Sequence, residues 1–361
     1  MSIEGRRTDD ESIVSIVAKY ITFTHYYSLV DGSIEFITYE NDVKNRFKNL
    51  VYDLSNYGLL ARLEKRNSYL SVIVFKEIEY KSRIKSWMPL LLFLVTTVVI
   101  FYDGIVRSQT TFSQLYIDDH ILMAVLYVLS FMGILGVHEM GHILAAKKHG
   151  VKSSWPLFIP GIPGLFVVPP TFGALIVSRA HMINRDVLFD VGISGPIAGL
   201  IVTIIVSIYG ASISPLIPEN LEEPGLITIP SSLLMMITFT ITNKAIEGYT
   251  VILSPVAFAA WVGFIVTFLN LIPAWQLDGG HITRAAMGRR WHVYLTFASI
   301  IILAALNYIF WALFILLMSS RMADVKPLDD ISPLSKKRKI IYIITLFIAV
   351  LCAPLPEYFS F

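Results

Sequence analysis

The chain has 361 residues, 55% of them hydrophobic and only 16% charged, with a mean hydropathy of +0.64. That composition excludes an ordinary soluble globular protein and requires most of the chain to be dissolved in lipid. The net charge of +2, from 29 Lys and Arg against 27 Asp and Glu, leaves no broad basic patch, so nucleic acid is excluded as a partner.

The chain opens MSIEGRRTDDES, polar and without the apolar stretch of a cleaved signal peptide, so none is expected. Residues 1–85 read as a small soluble α+β domain. Residues 12–20 predict a short amphipathic helix, and 26–30 and 34–39 flank Asp31-Gly32, a hairpin signal. Val43, Phe47, Leu50, Val51 and Leu54 fall at helical spacing within 41–54. A second hairpin, 59–63 with 69–75, turns at Arg66-Asn67-Ser68. His25 stands alone here and is expected to be structural or on the surface.

Apolar segments follow at 88–102, 121–146, 187–209, 255–272, 293–318 and 340–351. Their basic flanks set the orientation. Lys81, Arg83 and Lys85 precede the first; Lys147, Lys148 and Lys152 follow the second; Arg179 and Arg185 precede the third; Arg289 and Arg290 follow the fourth. Those ends, and the N-terminal domain with them, are expected in the cytoplasm. The opposite loops carry Asp118 and Asp119, or Glu219, Glu222 and Glu223. Segment 293–318 has basic residues at both ends, with Arg321, Lys326 and Lys336-Lys337-Arg338-Lys339 beyond it, which favours two short helices turning near Asn307 over a single crossing.

Residues 155–177 are apolar yet hold Pro156, Pro160, Pro163, Pro169 and Pro170, which forbid a continuous helix. A re-entrant β-like segment is expected, tolerated at membrane depth where protein or a water-filled cavity covers it. Residues 221–249 are moderately apolar and fit the outer interface. The expected fold is therefore an all-α polytopic membrane protein with about seven transmembrane helices, six being the alternative, plus the re-entrant segment and the α+β domain. It divides into 1–85, a core at 86–320, and a basic linker with a last transmembrane helix at 321–361. The expected location is the cell membrane, as a multi-pass protein.

Inside segment 121–146 stands His138-Glu139-Met140-Gly141-His142. At helical spacing the two histidines lie i and i+4 on one face and can share one Zn²⁺, with Glu139 beside the open position. Ionisable groups at this depth are costly and mark function. Cys352 is the single cysteine, which excludes an internal disulfide and a cysteine zinc site. A third ligand is needed. No glutamate occurs between Glu139 and Glu219, and Ala145 and Lys148 stand where a metzincin would need glycine and histidine, with His149 one residue off. Asp278 is the best candidate, in the run NLIPAWQLDGG at 270–280, where Pro273 ends the fourth span and Gly279 and Gly280 permit close backbone approach. His138 precedes Lys147 by nine residues, roughly 14 Å of helix, which places it inside the hydrocarbon on the cytoplasmic side.

Three signatures in order, HEMGH, FDVGISGPIAG at 189–199 and NLIPAWQLDGG, span roughly 121–318 and resemble the site-2 protease family of intramembrane zinc metalloproteases, in particular plant and archaeal members with a soluble N-terminal domain. The resemblance implies Zn²⁺ held by His138, His142 and Asp278, Glu139 as catalytic base, and Asn270 near the substrate. It also implies that the strand region, here about 158–176, pairs with an unwound substrate. The expected activity is hydrolysis of peptide bonds within transmembrane helices of other proteins of the bilayer; oligomeric state is left open. Plainer roles stand beside these. Gly192, Gly195 and Gly199 serve helix packing, with Pro196 adding a kink. Asn270 can simply bridge helices, His281 is structural or supports a ligand, and His181 and His292 lie near interfaces. A prenyl-protein protease would want a glutamate third ligand. A mid-membrane metal or proton transporter, with Glu139 as relay, would show inverted repeats, and no second copy of either motif is present.

Overall fold

The computed structural model describes residues 10–77, 84–109, 118–164, 169–176, 181–219, 229–319 and 325–355. Lys81, Arg83, Arg179, Glu222, Glu223 and Arg321 of the charge pattern, and Val177 of the proline-rich stretch, lie outside them.

Helix α1 (Asp10–Ala18), strands β1 (His25–Ser28) and β2 (Ile34–Thr38), helix α2 (Lys44–Ser55), and strands β3 (Leu59–Lys65) and β4 (Leu70–Lys76) make up the N-terminal unit. Its antiparallel sheet runs β1-β2-β4-β3. Alternation along β2 turns Ile34, Phe36 and Thr38 inward, against Phe47, Leu50, Val51 and Leu54 of α2. Gly32 takes φ 79, and the Asp31 carboxylate accepts the Ser33 amide at 3.0 Å, which closes the first hairpin. This core does not stop at the domain boundary: Ala146, Val151, Ile183, Val187 and Leu328 belong to it. Across the junction Leu63 N donates to Leu328 O (2.9 Å), and Tyr52 Oη donates to His149 O (2.9 Å).

Among the described residues, three helices are long and apolar enough to cross a membrane: α3 (Met88–Ser108), α4 (His120–Lys148) and α5 (Arg185–Ser212). Side-chain caps start two of them, Asp119 accepting the Ile121 and Leu122 amides and Asn184 accepting the Val187 amide. Outward residues such as Leu129, Ile201 and Ile205 are exposed and apolar, the inverse of a soluble surface. Between α4 and α5 lies an antiparallel pair, β5 (Leu157–Pro160) and β6 (Thr171–Leu175), with Leu157 opposite Leu175. Phe158 stacks edge-on against Phe93 of α3, ring centres 5.5 Å apart, so this non-helical hairpin lies along the first long helix.

A second small pair, β7 (Leu216–Pro218) with β8 (Tyr249–Val251), brackets the short helix α6 (Leu233–Ile241). Helix α7 (Pro255–Leu271), capped by Ser254, is buried along most of its length and occupies the middle of the bundle. Helix α8 (Asp278–Ala305) is two rods joined at Gly288, whose φ is 80 and ψ 178. The chain then reverses at Asn307 (φ 64), and α9 (Ile309–Ser319) packs Ala312 and Ile315 back onto Leu303. The last helix, α10 (Lys336–Cys352), follows a strap at 325–335 that pairs with the residues just before α5 and reaches Arg284 within α8. There Leu328 N and Asp329 N donate to the carbonyls of Met182 and Ile183.

Candidate metal centre

Because α4 runs unbroken through the HEMGH motif, His138 and His142 stand one turn apart, with Nε2 atoms 3.2 Å from each other. His138 is 5% and Glu139 8% exposed. Asp278 is the first residue of α8, and its Oδ2 lies 3.2 Å from His138 Nε2 and 3.3 Å from His142 Nε2. These three form a near-equilateral triangle. A tetrahedral ion with ligand bonds of about 2.0–2.1 Å needs ligand atoms about 3.3 Å apart, so the donor set fits one zinc-sized ion. Among the described residues, His138, His142 and Asp278 are the group of His, Cys, Asp or Glu able to share an ion.

The supports are built into neighbouring helices. His142 Nδ1 lies 2.8 Å from Val191 O of α5, and as donor to that carbonyl it leaves the Nε2 lone pair for a metal. Asp278 is presented by the loop that Pro273 starts. Trp275 takes φ 43 there; its amide donates to Thr296 Oγ1 (3.0 Å), and its carbonyl lies 2.9 Å from His292 Nε2. A side chain at Gly279 or Gly280 would overlap the carbonyls of Leu271, Ile272 or Trp275, so the loop curls onto the helix start only because both are glycine.

Asn270 Nδ2 lies 3.4 Å from His138 Nε2, which puts the amide at the edge of the triangle. His25 and His181 are exposed and outside the group. His281 is not in the group either; its Cβ faces α5 at Gly192. His149 pairs with Asp190 (3.0 Å) at the end of α4. His292, placed by the sequence only near an interface, braces the Asp278 loop. Two further features had no sequence reading. Asp103, fully buried in α3, accepts from Arg107 Nε (2.7 Å), Tyr127 Oη (2.6 Å) and the Gly164 amide (2.8 Å) at the far end of the β5–β6 hairpin. Arg284, buried in α8, is bound by Asp330 of the strap. The i, i+4 spacing of Asp103 and Arg107 beside an apolar segment was the available signal for the first.

Comparison with known proteins bears on the same stretch. The description "Peptidase family M50" matches residues 126–314, just over half of the chain and inclusive of all three signatures. The chain is 30% identical over 233 residues to the probable zinc metalloprotease EGY2, chloroplastic, of Arabidopsis thaliana, covering 63% of this chain and 41% of that protein. It is 29% identical over 231 residues to the probable zinc metalloprotease EGY1, chloroplastic, of Oryza sativa subsp. japonica, covering 61% and 39%. It is 26% identical over 277 residues to the probable zinc metalloprotease EGY3, chloroplastic, of Oryza sativa subsp. indica, covering 71% and 45%. The chain thus spans less than half the length of these relatives. No solved structure matches it. With the HEMGH helix, the glycine-rich helix and the Asp278 loop all inside the matched region, the chain belongs to peptidase family M50.

Proposed function

We propose that the chain is a zinc-dependent intramembrane protease, hydrolysing peptide bonds within transmembrane segments of other membrane proteins. The observation that carries this is the 3.2–3.3 Å triangle of His138, His142 and Asp278 beside a buried Glu139, in a helix apolar enough to cross the membrane. Zinc, the metal printed in the relatives' names, would be held by His138, His142 and Asp278 and would supply a Lewis acid for activating water near neutral pH and polarising the scissile carbonyl. Glu139 takes the proton from the attacking water and delivers it to the leaving amine. The Asn270 amide donates to the oxygen that becomes negative as the carbonyl turns tetrahedral. The buried walls around Glu139 exclude bulk water and strengthen each of these interactions.

The surrounding topology belongs to the same proposal. Seven crossings follow if α7, the second rod of α8, α9 and α10 join the three long helices; the reversal at Asn307 and the basic residues beyond α9 support this. The N-terminal unit lies on the cytoplasmic side, in keeping with its seat against Ala146 and Val151, beside Lys147, Lys148 and Lys152 at the end of α4. A division at 1–85, 86–320 and 321–361 follows the chain's composition. The β5–β6 hairpin offers an unwound substrate a strand edge, since a helix hides its amides until it is opened.

The test is cleavage of single-span substrates by purified protein in lipid, with and without chelator. Chelation should abolish cleavage. Glu139→Gln should keep zinc while turnover falls by roughly 10²–10⁴ or more; near-normal turnover in that variant would remove the proposed mechanism.

A further inference from the structure

The rod that carries Asp278 is short. Residues 278–287 are helical, but Gly288 breaks the geometry, so the second rod of α8 does not fix the direction of the first. What anchors it at its middle is Arg284, six residues and roughly 9 Å of helix beyond Asp278. Arg284 is 2% exposed and the largest of the fully buried side chains. Its Nη1 donates to Asp330 Oδ1 (2.9 Å) and its Nη2 to Oδ2 (2.7 Å), a two-pronged bond that fixes orientation as well as distance.

Asp330 serves a second element. Arg185, the first residue of α5, donates from Nε to the same Oδ1 (3.1 Å) and from Nη2 to the Asp330 carbonyl (2.7 Å). Helix α5 carries Val191, whose carbonyl orients His142. One carboxylate therefore ties together the two elements that set Asp278 and His142. Burial pushes the Asp330 carboxyl up, but the hydrogen bonds and charge of Arg284 and Arg185 outweigh it and hold it below the usual carboxylate range. Nor is Asp330 itself free to swing. The Asp329 carboxylate beside it accepts the amides of Ile331 and Ser332, and the strap is pinned to the N-terminal unit by Leu63 N to Leu328 O (2.9 Å) and Lys44 Nζ to Pro333 O (2.7 Å).

We infer that Asp330 is a positioning residue for the metal centre, holding Asp278 through Arg284 and the His142 carbonyl support through Arg185. This rests on the metal site proposed above. Asp330 touches neither metal ligand nor substrate; it acts through the two arginines. Loss of that carboxylate would remove the two-pronged bond from a buried guanidinium, and the rod would shift to relieve it.

The test is zinc affinity of the purified full chain in lipid, by chelator competition, with helicity and thermal stability of the zinc-free form as folding checks. Asp330→Asn, isosteric but uncharged, should weaken zinc binding by ~10–100-fold, as loss of a partner behind metal ligands does elsewhere. Arg284→Lys keeps the buried charge without the two-pronged bond and should weaken it in the same direction, by about tenfold. In both, kcat should fall while KM for the membrane substrate holds. Asp278→Ala is the reference. If Asp278→Ala loses zinc while folded Asp330→Asn and Arg284→Lys bind it as the parent does, Asp330 merely packs the strap and the inference is overturned. Should Asp330→Asn fail to fold, Arg284→Lys decides the matter alone. Full zinc affinity in Asp278→Ala would instead overturn the metal site itself.

Discussion

A methyl group at Gly195 would overlap the ring of His142, and one at Gly199 would press on Cβ and Nδ1 of His138 at 3.1 and 3.2 Å. Helix α5 therefore crosses the HEMGH face of α4 at a separation only glycine allows, and the packing it provides is packing against the ligands themselves. Gly195→Ala should displace His142 and lower zinc affinity by at least ~10-fold, the scale on which a misplaced ligand support is felt. Gly136→Ala, where an added Cβ meets nothing within 4 Å, should bind zinc as the parent does. Equal zinc contents in the two variants would mean that α5 yields and that the ligand geometry is not set by this contact. At this scale the sequence was generous where chemistry and spacing coincide: HEMGH, Asp278 and its two glycines announce themselves by residue type. It placed His292 only near an interface and was silent on Thr296, because their work is to hold the Trp275 backbone, and a partner's carbonyl or amide leaves no mark in a sequence.

At the scale of elements, the prolines of 155–177 excluded a helix but could not give the pairing of Leu157 with Leu175, which is a tertiary choice. The first apolar segment ended in the sequence reading at residue 102, where Asp103 begins the charged residues. Helix α3 instead runs to Ser108, because Asp103 finds Arg107, Tyr127 and the Gly164 amide and so remains inside the bundle. Hydropathy counts such a carboxylate as an end; only its partners make it an interior residue. The same cluster holds the connection of the β5–β6 hairpin against α3, and among the described residues β6 has a neighbouring strand on one side only. If substrate adds to the other edge, Leu175→Pro, which removes a backbone donor, should cut cleavage relative to Leu175→Ala, which removes only the exposed side chain. One lost hydrogen bond corresponds to about 2–10-fold in rate. Zinc content and thermal stability serve as controls, and equal cleavage by the two variants would mean that the hairpin packs the bundle without engaging substrate.

Across the whole molecule, composition located the membrane part and the α+β part, yet it could not reveal that they share one core. The joining contacts, Leu63 with Leu328 and Tyr52 with His149, connect residues far apart in sequence and consist largely of backbone atoms. The stretch beyond 320 looked like a basic linker for the same reason: the pairing of Asp330 with Arg185 and Arg284 is invisible until the chain is folded. The count of crossings turns on residues 289–326. Arg289 and Arg290 are exposed just past the Gly288 break, the chain reverses at Asn307, and Lys326 is exposed at the start of the strap. A hairpin through the bilayer puts Arg289 and Lys326 on one side, the side of the N-terminal unit, because the strap they lead to is hydrogen-bonded to that unit. A single crossing would put them on opposite sides and leave one cluster of positive charge outside, against the usual distribution. Cysteines at 289 and 326, introduced singly in a Cys352→Ala background, should therefore both react with a membrane-impermeant thiol reagent from the cytoplasmic side of oriented vesicles. Reaction from opposite faces would establish one crossing between them, reduce the expected seven to six, and require the second rod of α8 and α9 to act as a single broken span.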